Sequence, residues 1–422
     1  MSNRIIKFSE WSFSKNFFYK SWQSNGCFFS ESGLSIRFNN KEGSSNSTPY
    51  IYSKVIPGPF VLLSISFTDF FTTFDKLTLF IRINGCNRKL LEYEERHFKK
   101  FTPYNFIVHV SLPVDALAIY LGFKFKGKGY VNIKKVRFEQ HDDFYENSPL
   151  NIYEKVCKAF EELYFDRKIN FNLRVIKNIL LNNPTYFFLY KAIDHALRKL
   201  PDRHSSYSSP SVQSARNFRS GSIHKTIFEF RSDKRIAYIK PSPFLGSKNS
   251  EADLYIDQYK KFLKQCIELD ILFYVIDFKG FKGGNMWPLL TALSFFLVKN
   301  PVGYFNINEQ FHPWRYLSSG LLSQISDQAK VCVWIDQRTA SAGEALALAL
   351  SSQRNCVLIG RPTAGLTTAV QSIQFDNLGT LRVAIGYFTD YKMKIIKNGV
   401  TPHFYVKNIE NYYSETKRYL KL

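Results

Sequence analysis

The chain of 422 residues is long enough for roughly two or three domains, and its hydrophobic share of 45% is that of an ordinary globular protein. Its net charge of +22 favours acidic partners such as acidic peptides or anionic membrane surfaces. The lysines and arginines are scattered and match no nucleic-acid-binding motif, so specific nucleic-acid binding is disfavoured. The longest apolar stretch, Trp287–Val298, is too short to span a bilayer, so no transmembrane segment is predicted.

The six cysteines argue against a disulfide framework and against a metal site. They lie far apart, form no C-x-x-C pair and in several cases lie within apolar runs, so we predict reduced core residues. Residues 1–17 lack the apolar region of a signal peptide. The expected location is therefore cytoplasmic, or secreted if the sequence is a trimmed piece of a longer chain.

Residues 1–145 are predicted to form an all-β domain. Short runs of β-forming residues alternate with turn signals, and no helical period interrupts them. This pattern is typical of a jelly-roll-like sandwich of the galactose-binding-like kind, for which sugar binding and a spacer role both remain open. The predicted strands are Tyr50–Val55, Phe60–Phe67, Leu77–Ile83, Phe106–Leu112, Ala116–Phe125 and Tyr130–Phe138.

Residues 146–200 are predicted to form a helical linker or cap, and a polar segment, Pro201–Pro210, follows them. His204 lies in this segment, where a histidine is able to act as a general base near neutral pH. A solvated surface histidine has the same sequence signature. Residues 208–222 are predicted to be a mobile loop. The helical stretches are Ile152–Phe165, Asn170–Leu181 and Thr185–Leu200.

From about Arg235 strands and helices alternate, which predicts an α/β core within residues 201–422. The glycine-rich turn Gly280–Trp287 follows a predicted strand, and its Gly283 and Gly284 offer backbone N–H groups to an oxyanion or a phosphate. The turn lacks the spacing of a nucleotide-binding loop. The other predicted elements are strands Ile236–Ile239, Leu272–Phe278 and Thr380–Phe388, helices Glu251–Glu268 and Pro288–Val298, a loop Gly303–Gly320, and a turn and last strand within Lys394–Val406.

Ser341 lies between a predicted strand, Val331–Ile335, and a predicted helix, Ala342–Leu350, with a second strand at Cys356–Ile359. Backbone N–H groups and the helix dipole favour negative charge there, as the transition state of acyl transfer requires. A plain N-cap serine has the same signature. Glu344 lies on the same helix face, where it either reaches back to the turn of Ser341 or forms the glutamate half of a capping box.

Taken together, several segments resemble motifs of the serine peptidase family of C-terminal processing (tail-specific) proteases, in its tricorn-like and nisin-resistance-like branch. The resemblance spans about residues 185–406. It is carried by Thr339–Glu344 (TASAGE), similar to the nucleophile motif T-A-S-[AS]-x-E; Gly360–Gly365 (GRPTAG), similar to G-x-x-T-x-G; Asp277–Gly284 (DFKGFKGG), similar to D-L-R-x-N-x-G-G; Gly399–Pro402, similar to G-[IV]-x-P; and Leu197–Ser205 (LRKLPDRHS), similar to the turn with the base histidine.

The resemblance implies a ClpP/crotonase-like core that hydrolyses peptide bonds in short or unfolded peptides through an acyl-enzyme, without metal or organic cofactor. It implies Ser341 as nucleophile and His204 as base, with Asp202 or Ser205 orienting the histidine. The other implied site residues are Glu344 as a further catalytic residue, Ala342 with Gly283 or Gly284 as the oxyanion hole, and Thr339, Thr363 and Gly365 as substrate contacts.

The chain departs from the family pattern at four places. Leu366 stands where the processing proteases have the lysine of a Ser/Lys dyad, so the base falls to His204. Lys279 and Phe281 stand where the family has an arginine and an asparagine, and His403 stands where it has an acid. These departures keep open a catalytically lapsed peptide-binding or bacteriocin-immunity protein. A carbohydrate-binding protein that acts through the N-terminal sandwich is the other alternative.

Overall fold

The structure is a computed structural model, and it describes residues 5–6, 22–23, 28–32, 35–40, 50–54, 61–85, 90–112, 116–125, 129–133, 135–141, 148–166, 177–178, 180–181, 185–210, 212, 225–231, 235–246, 249–316, 329–375, 378–408 and 411–421. The chain forms two compact units. The first contains Met1–Ser222 and Ser372–Val383, and the second contains Ile223–Gln371 and Ala384–Leu422.

The N-terminal part of the first unit is rich in strands, as the sequence predicts. Its strands pair antiparallel in two sheets, one in the order β1-β12-β6-β11-β4-β3 with β9 beside β6, and the other in the order β2-β5-β10-β7-β8. The strands are β1 (Ile5–Ile6), β2 (Trp22–Gln23), β3 (Phe28–Ser32), β4 (Ser35–Asn40), β5 (Tyr50–Lys54), β6 (Val61–Thr72), β7 (Leu77–Asn84), β8 (Leu90–Phe98), β9 (Tyr104–Leu112), β10 (Ala118–Phe125), β11 (Gly129–Ile133) and β12 (Lys135–His141).

One aromatic core joins the two sheets of this sandwich. Phe70 of β6 packs against Phe98 of β8 and Phe123 of β10, with ring centroids 4.4 and 5.9 Å apart. Phe67 of β6 stacks on Phe106 of β9 at 4.6 Å. Aromatic side chains bury large areas, which suits a chain with 40 phenylalanines. The jelly-roll assignment stays a prediction.

Two helices and a short strand follow the sandwich in the first unit: α1 (Pro149–Leu163), α2 (Tyr186–Leu197) and β13 (Ser206–Ser208). Each helix begins at a conventional cap, because the Ser148 and Thr185 side chains accept the N–H groups of Asn151 and Phe188. The predicted helix Asn170–Leu181 and the predicted loop 208–222 lie mostly outside the described residues.

The second unit is built on a sheet in the order β14-β15-β16-β19-β20-β24, parallel except for β14 at its edge. A smaller antiparallel sheet is centred on β22. The second half of β22 pairs with β17 and β23, and β17 pairs with β18. The first residues of β22 belong to the first unit and pair there with β13. The strands are β14 (Ile227–Arg231), β15 (Ile236–Lys240), β16 (Phe273–Asp277), β17 (Tyr304–Ile307), β18 (Gln310–Pro313), β19 (Lys330–Ile335), β20 (Cys356–Gly360), β21 (Thr368–Gln374), β22 (Thr380–Thr389), β23 (Ile395–Ile396) and β24 (Phe404–Tyr405).

Helices cover both faces of the parallel sheet, so its central strands are apolar throughout. On one face, alternate residues such as Ile276 and Val333 pack against α3, α4 and α5. On the other face, Val275 and Trp334 pack against α6. The helices are α3 (Asn249–Glu268), α4 (Met286–Ala292), α5 (Ala342–Ser351) and α6 (Asn411–Leu420).

Two predicted elements differ from the structure, and one helix of the structure was not predicted. The predicted loop Gly303–Gly320 contains the hairpin β17–β18, because Asn308 and Glu309 adopt positive φ angles of 49° and 64° that suit a tight hairpin turn. The predicted helix Pro288–Val298 begins earlier, at Met286, because the Asn285 side chain caps it. It ends at Ala292. Helix α6 was not predicted.

The structure describes four of the cysteines, and all four are free thiols. Cys266, Cys332 and Cys356 are buried, as predicted for core residues, and Cys157 is half-buried. Burial raises the pKa of the Cys266 and Cys332 thiols to about 12, so both are protonated at neutral pH. Of the helices in the described ranges, none combines the length and the apolar character needed to cross a bilayer.

Candidate active site

Ser341 has a strained backbone at the point where β19 turns into α5. Its φ is 55° and its ψ is −119°, a conformation that residues with a side chain rarely adopt. Ser148 and Thr185, the ordinary N-caps of α1 and α2, have extended backbones instead. A serine on a sharp turn from strand to helix is how several hydrolase folds expose a nucleophile. The backbone therefore distinguishes Ser341 from a plain N-cap.

Hydrogen bonds from Thr339 close the loop before Ser341. The Thr339 hydroxyl accepts the N–H of Asp336 at 2.9 Å and donates to the carbonyl oxygen of Phe278 at 2.8 Å. Asp336 in turn accepts the N–H of Gly280 at 2.9 Å. The loop that carries the serine is thereby bound to the glycine-rich turn that follows β16.

Glu344 binds the start of α5 to the neighbouring turn. Its fully buried carboxylate accepts the N–H of Ser341 at 2.9 Å, the hydroxyl of Thr363 at 2.5 Å, and the N–H groups of Gly365 and Leu366 at 2.7 and 2.8 Å. Burial raises the pKa of Glu344, and these four donors act in the opposite direction. The bond to the Ser341 N–H is the glutamate half of a capping box, one of the two roles weighed in the sequence, and it holds the backbone of Ser341.

Gly283 lies directly against Ser341. A methyl group built on Gly283 would be 2.9 Å from Cβ of Ser341 and 3.3 Å from the backbone nitrogen of Ala342, and the φ of Gly283 is +101°. A residue with a side chain would therefore displace the serine turn. Gly284 packs against a different segment, because a methyl group built on it would lie 2.6 Å from the carbonyl oxygen of Phe244.

The N–H groups of Gly283 and Ala342 are free donors beside the serine. Both residues are buried, and within the described ranges no acceptor bonds to either N–H. A buried donor without a partner costs about 1–3 kcal/mol, so such groups usually serve a ligand or a transition state. Their closeness to Ser341 suits an oxyanion hole.

The side chain of Lys279, at the family's arginine position, is already engaged. Its ammonium pairs with Asp277 at 3.1 Å and lies over the ring of Trp334 at 3.7 Å. Burial lowers the pKa of Lys279, and Asp277 opposes that shift. Asp277 also accepts the N–H of Lys279 and the hydroxyl of Tyr238, so it organises the turn that follows β16. Among the described residues no group of three or more His, Cys, Asp or Glu is placed to hold a metal ion.

The three residues expected to contact substrate have other contacts in the structure. Thr339 is fully buried, and Thr363 is 8% exposed. The Thr363 hydroxyl donates to Glu344 and accepts the N–H of Val400. The N–H of Gly365 donates to Glu344. The two threonine side chains thus have little surface to offer a substrate, and both hold the turns around Ser341. The substrate contacts expected of Thr339, Thr363 and Gly365 stay predictions.

His204 lies in the first unit, in a turn organised by Asp202. The buried carboxylate of Asp202 accepts the N–H groups of His204 and Ser205 at 2.7 and 2.6 Å and the hydroxyl of Ser205 at 3.1 Å. Tyr164, at the end of α1, donates its hydroxyl to the same carboxylate at 2.9 Å. Asp202 therefore fixes the backbone on which His204 stands. Sequence reasoning missed Tyr164, since nothing near it in the chain marks it as a partner of this turn.

Helix α2 leads to this turn, and the N–H of its first residue donates to a buried carboxylate of the sandwich. Glu92 and Glu94 are two residues apart on β8, so they lie on one face, and they are 1% and 5% exposed. Glu92 accepts the N–H of Tyr186, the first residue of α2, at 2.7 Å. Arg96 lies 3.1 Å from Glu94. Burial raises the pKa of Glu92 to about 8 and that of Glu94 to about 7.

We expect the melting temperature of the protein to fall as pH rises from 6 to 8.5. In the unfolded chain both glutamates are ionised above about pH 4.5, whereas in the folded protein Glu92 keeps its proton up to about pH 8 and Glu94 up to about pH 7. Because the folded state binds more protons than the unfolded state in this range, the free energy of unfolding falls as pH rises. Each contributes a slope of up to about 1.4 kcal/mol per pH unit. The charged group that opposes them is Arg96; Tyr186, Tyr190 and Tyr207 also face them.

Glu92→Gln should flatten this pH dependence, because the amide does not titrate. Its oxygen can still accept the Tyr186 N–H, but its NH₂ group replaces the oxygen that accepts the Tyr93 N–H at 3.1 Å, so we also expect a lower melting temperature at every pH. Glu95→Gln on the same strand is the matched control, because Glu95 is half-buried and paired with Lys124 at 2.7 Å. Thermal melts followed by circular dichroism measure the effect. A slope unchanged by Glu92→Gln, or flattened equally by Glu95→Gln, would contradict the assignment.

Comparison with known proteins agrees with the motifs. The model of peptidase family S41 matches residues 235–406. The nisin-resistance protein of Lactococcus lactis subsp. lactis is 27% identical over 149 residues, which are 32% of this chain and 47% of that relative. The chain therefore matches about half the length of this curated relative. These matches confirm the family resemblance read from the sequence.

One solved structure adds a likeness of fold. A lipoprotein from Streptococcus agalactiae matches with a TM-score of 0.55 and 16% identity, over 65% of this chain and 97% of that chain. The photosystem II D1 C-terminal processing protease matches with a TM-score of 0.42 and 13% identity, over 62% of this chain and 94% of that chain. The segment matched by the family, residues 235–406, contains Ser341, Glu344 and Gly283, whereas His204 lies before it.

Proposed function

We propose that this chain is a serine-type peptidase, because residues 235–406 match peptidase family S41. In this proposal Ser341 is the nucleophile, His204 is the general base, and the N–H groups of Ala342 and Gly283 form the oxyanion hole. The substrate is a short or unfolded peptide that binds in extended form. Glu344 and Asp202 hold the backbones of the two catalytic residues.

The reaction would proceed through an acyl-enzyme. The hydroxyl oxygen of Ser341 attacks the carbonyl carbon of the scissile bond while His204 takes the hydroxyl proton. The carbonyl oxygen becomes an oxyanion that accepts hydrogen bonds from Ala342 and Gly283. The C–N bond then breaks, and His204 returns the proton to the leaving amine. Water, deprotonated by His204, hydrolyses the ester and restores the serine.

The structural observation that carries the proposal is the strained turn of Ser341 beside the N–H groups of two buried residues, Gly283 and Ala342, for which the described part of the chain offers no acceptor. A serine that only capped α5 would not need a positive φ. Strain of this kind persists when the surrounding contacts enforce it, and here the Glu344 carboxylate binds the Ser341 N–H. We also propose that residues 201–422 form a ClpP/crotonase-like α/β core, after a helical segment at 146–200 and a jelly-roll-like sandwich at 1–145.

A serine-reactive fluorophosphonate probe tests this function. We expect the wild-type protein to be labelled and both Ser341→Ala and His204→Ala to lose labelling, because the first removes the nucleophile and the second its base. Ser351→Ala, at the other end of α5, is the matched control and should be labelled like the wild type. Hydrolysis of a fluorogenic peptide library should follow the same order among the four proteins.

The other outcomes separate the alternatives. Labelling that survives His204→Ala would contradict the histidine and direct the search to a lysine base. A folded wild-type protein that neither reacts with the probe nor cleaves peptides, yet binds them, would be a lapsed peptidase. A glycan-binding screen on the full chain would reveal a carbohydrate role of the sandwich.

A further inference from the structure

The second unit contains a groove between the edge strand β14 and helix α3, with a volume of about 550 Å³. Its floor is aromatic. Phe228 and Phe230 of β14 face Phe262 of α3, with ring centroids 4.9 and 5.1 Å apart. Both β14 phenylalanines nevertheless remain only half-buried. The groove therefore keeps apolar surface that a further side chain could cover.

One face of α3 lines the groove along its length. Gln258, Lys261, Phe262 and Gln265 are spaced i, i+3, i+4 and i+7, which places them on one stripe of the helix. Seven residues of helix rise about 10 Å, which matches about three residues of an extended peptide. The two glutamine amides on this stripe can donate to and accept from a peptide backbone. The dimensions of the stripe thus suit a short extended segment.

The charge of the groove favours an acidic occupant. Lys225 and Lys261 are exposed at its rim, and within the described ranges neither ammonium has an acidic partner. Among the described residues of the lining, Glu229 carries the one carboxylate, and it is paired with Arg231 at 2.7 Å. The groove consequently presents two uncompensated positive charges beside its aromatic floor.

A short segment of backbone connects this groove to the glycine-rich turn. Ser242 lines the groove, and the carbonyl oxygen of Phe244, two residues later, accepts the N–H of Asn285 at 2.8 Å. Asn285 directly follows Gly284. The rings of Phe244 and Tyr255, which also lines the groove, lie 5.3 Å apart. A peptide in the groove would therefore lie beside the chain segment that supports the oxyanion turn.

We propose that this groove is a docking site for an acidic peptide segment of the substrate. An apolar side chain of the peptide covers Phe228, Phe230 and Phe262, and carboxylates on either side of it pair with Lys225 and Lys261. As a statement about the substrate, this rests on the proposed peptidase function. Binding itself is independent of catalysis, so it can be measured separately.

The probe is a fluorescein-labelled, C-terminally amidated peptide, Glu-Glu-Phe-Glu-Glu, titrated with the Ser341→Ala protein and followed by anisotropy. We expect it to bind about tenfold or more tightly than Gln-Gln-Phe-Gln-Gln and Glu-Glu-Gly-Glu-Glu, which lack the charge or the ring. Adding Lys225→Glu and Lys261→Glu together should weaken binding by about tenfold or more. Lys264→Glu, the same substitution as at Lys261 but on α3 outside the groove, should change binding less than about twofold.

Equal affinity for the three peptides, or an equal loss in Lys264→Glu and in the double variant, would overturn the proposal. So would the absence of saturable binding by the acidic peptide to the folded protein. In the active enzyme, kcat/KM for a substrate that carries the acidic segment should fall in the double variant through a higher KM. Failure of fluorophosphonate labelling with intact peptide binding would refute the peptidase and keep the groove, whereas labelling without selective binding would refute the groove alone.

Discussion

Gly283→Ala should reduce kcat/KM about 100-fold or more, the usual effect of losing one oxyanion donor. The added methyl group would lie 2.9 Å from Cβ of Ser341 and 3.1 Å from the carbonyl oxygen of Ala340, closer than carbon atoms tolerate. Since Gly283 also has a φ of +101°, alanine would be strained even with space around it. Either the serine turn or the glycine turn must shift, and both shifts separate the nucleophile from its donors. The rate of fluorophosphonate labelling and kcat/KM for a peptide substrate measure the loss.

Gly280→Ala, in the same turn, is the matched control for this prediction. Its φ of +73° imposes a similar backbone strain, but the nearest atom to the added methyl group is the Arg338 guanidinium at 3.7 Å. We expect Gly280→Ala to lower the melting temperature slightly and to keep most of the activity. Normal labelling of Gly283→Ala, or an equal loss in Gly280→Ala, would contradict the assigned place of Gly283 in the site.

The parts of the site that follow from local sequence could be predicted. Ser341, Glu344 and Gly283 lie where an apolar strand gives way to a turn and then to a helix, and such transitions have strong local signals. The capping-box spacing of Ser341 and Glu344 also anticipated the bond between the Glu344 carboxylate and the Ser341 N–H. These local signals marked the residues, although three of the four bonds of Glu344 join residues 19 to 22 positions away.

The contacts that the sequence could not predict join residues far apart in the chain. The bond from Thr339 to the Phe278 carbonyl spans 61 residues, and that from Gly280 to Asp336 spans 56. Tyr164 lies 38 residues from Asp202. Period and composition describe neighbours along the chain, so they do not reveal which turns meet. For this reason the sequence did not reveal that the Thr339 hydroxyl closes the loop before Ser341.

Glu344→Gln should inactivate the protein and also destabilise it, by about 3 kcal/mol or more, as expected for buried bonds to a charged acceptor. Each carboxylate oxygen accepts two hydrogen bonds. Oε1 accepts from the Thr363 hydroxyl and the Gly365 N–H, and Oε2 accepts from the N–H groups of Ser341 and Leu366. A glutamine has one oxygen, so its NH₂ group would face two donors whichever way the amide turned. The Ser341 backbone or the turn at Gly365 would then lose its support, and the strained φ of Ser341 would relax.

Glu251→Gln provides the comparison, since Glu251 also lies in the first turn of a helix in the second unit but is exposed. It should leave both the melting temperature and the labelling rate close to those of the wild type. Chemical unfolding of Glu344→Gln measures the loss of stability and shows at which denaturant concentrations the variant is still folded. The labelling rate is then measured under those conditions, so the loss of activity is separated from unfolding. A folded Glu344→Gln protein that is labelled at the wild-type rate would mean that the carboxylate stabilises α5 and the Gly365 turn without holding Ser341 for attack.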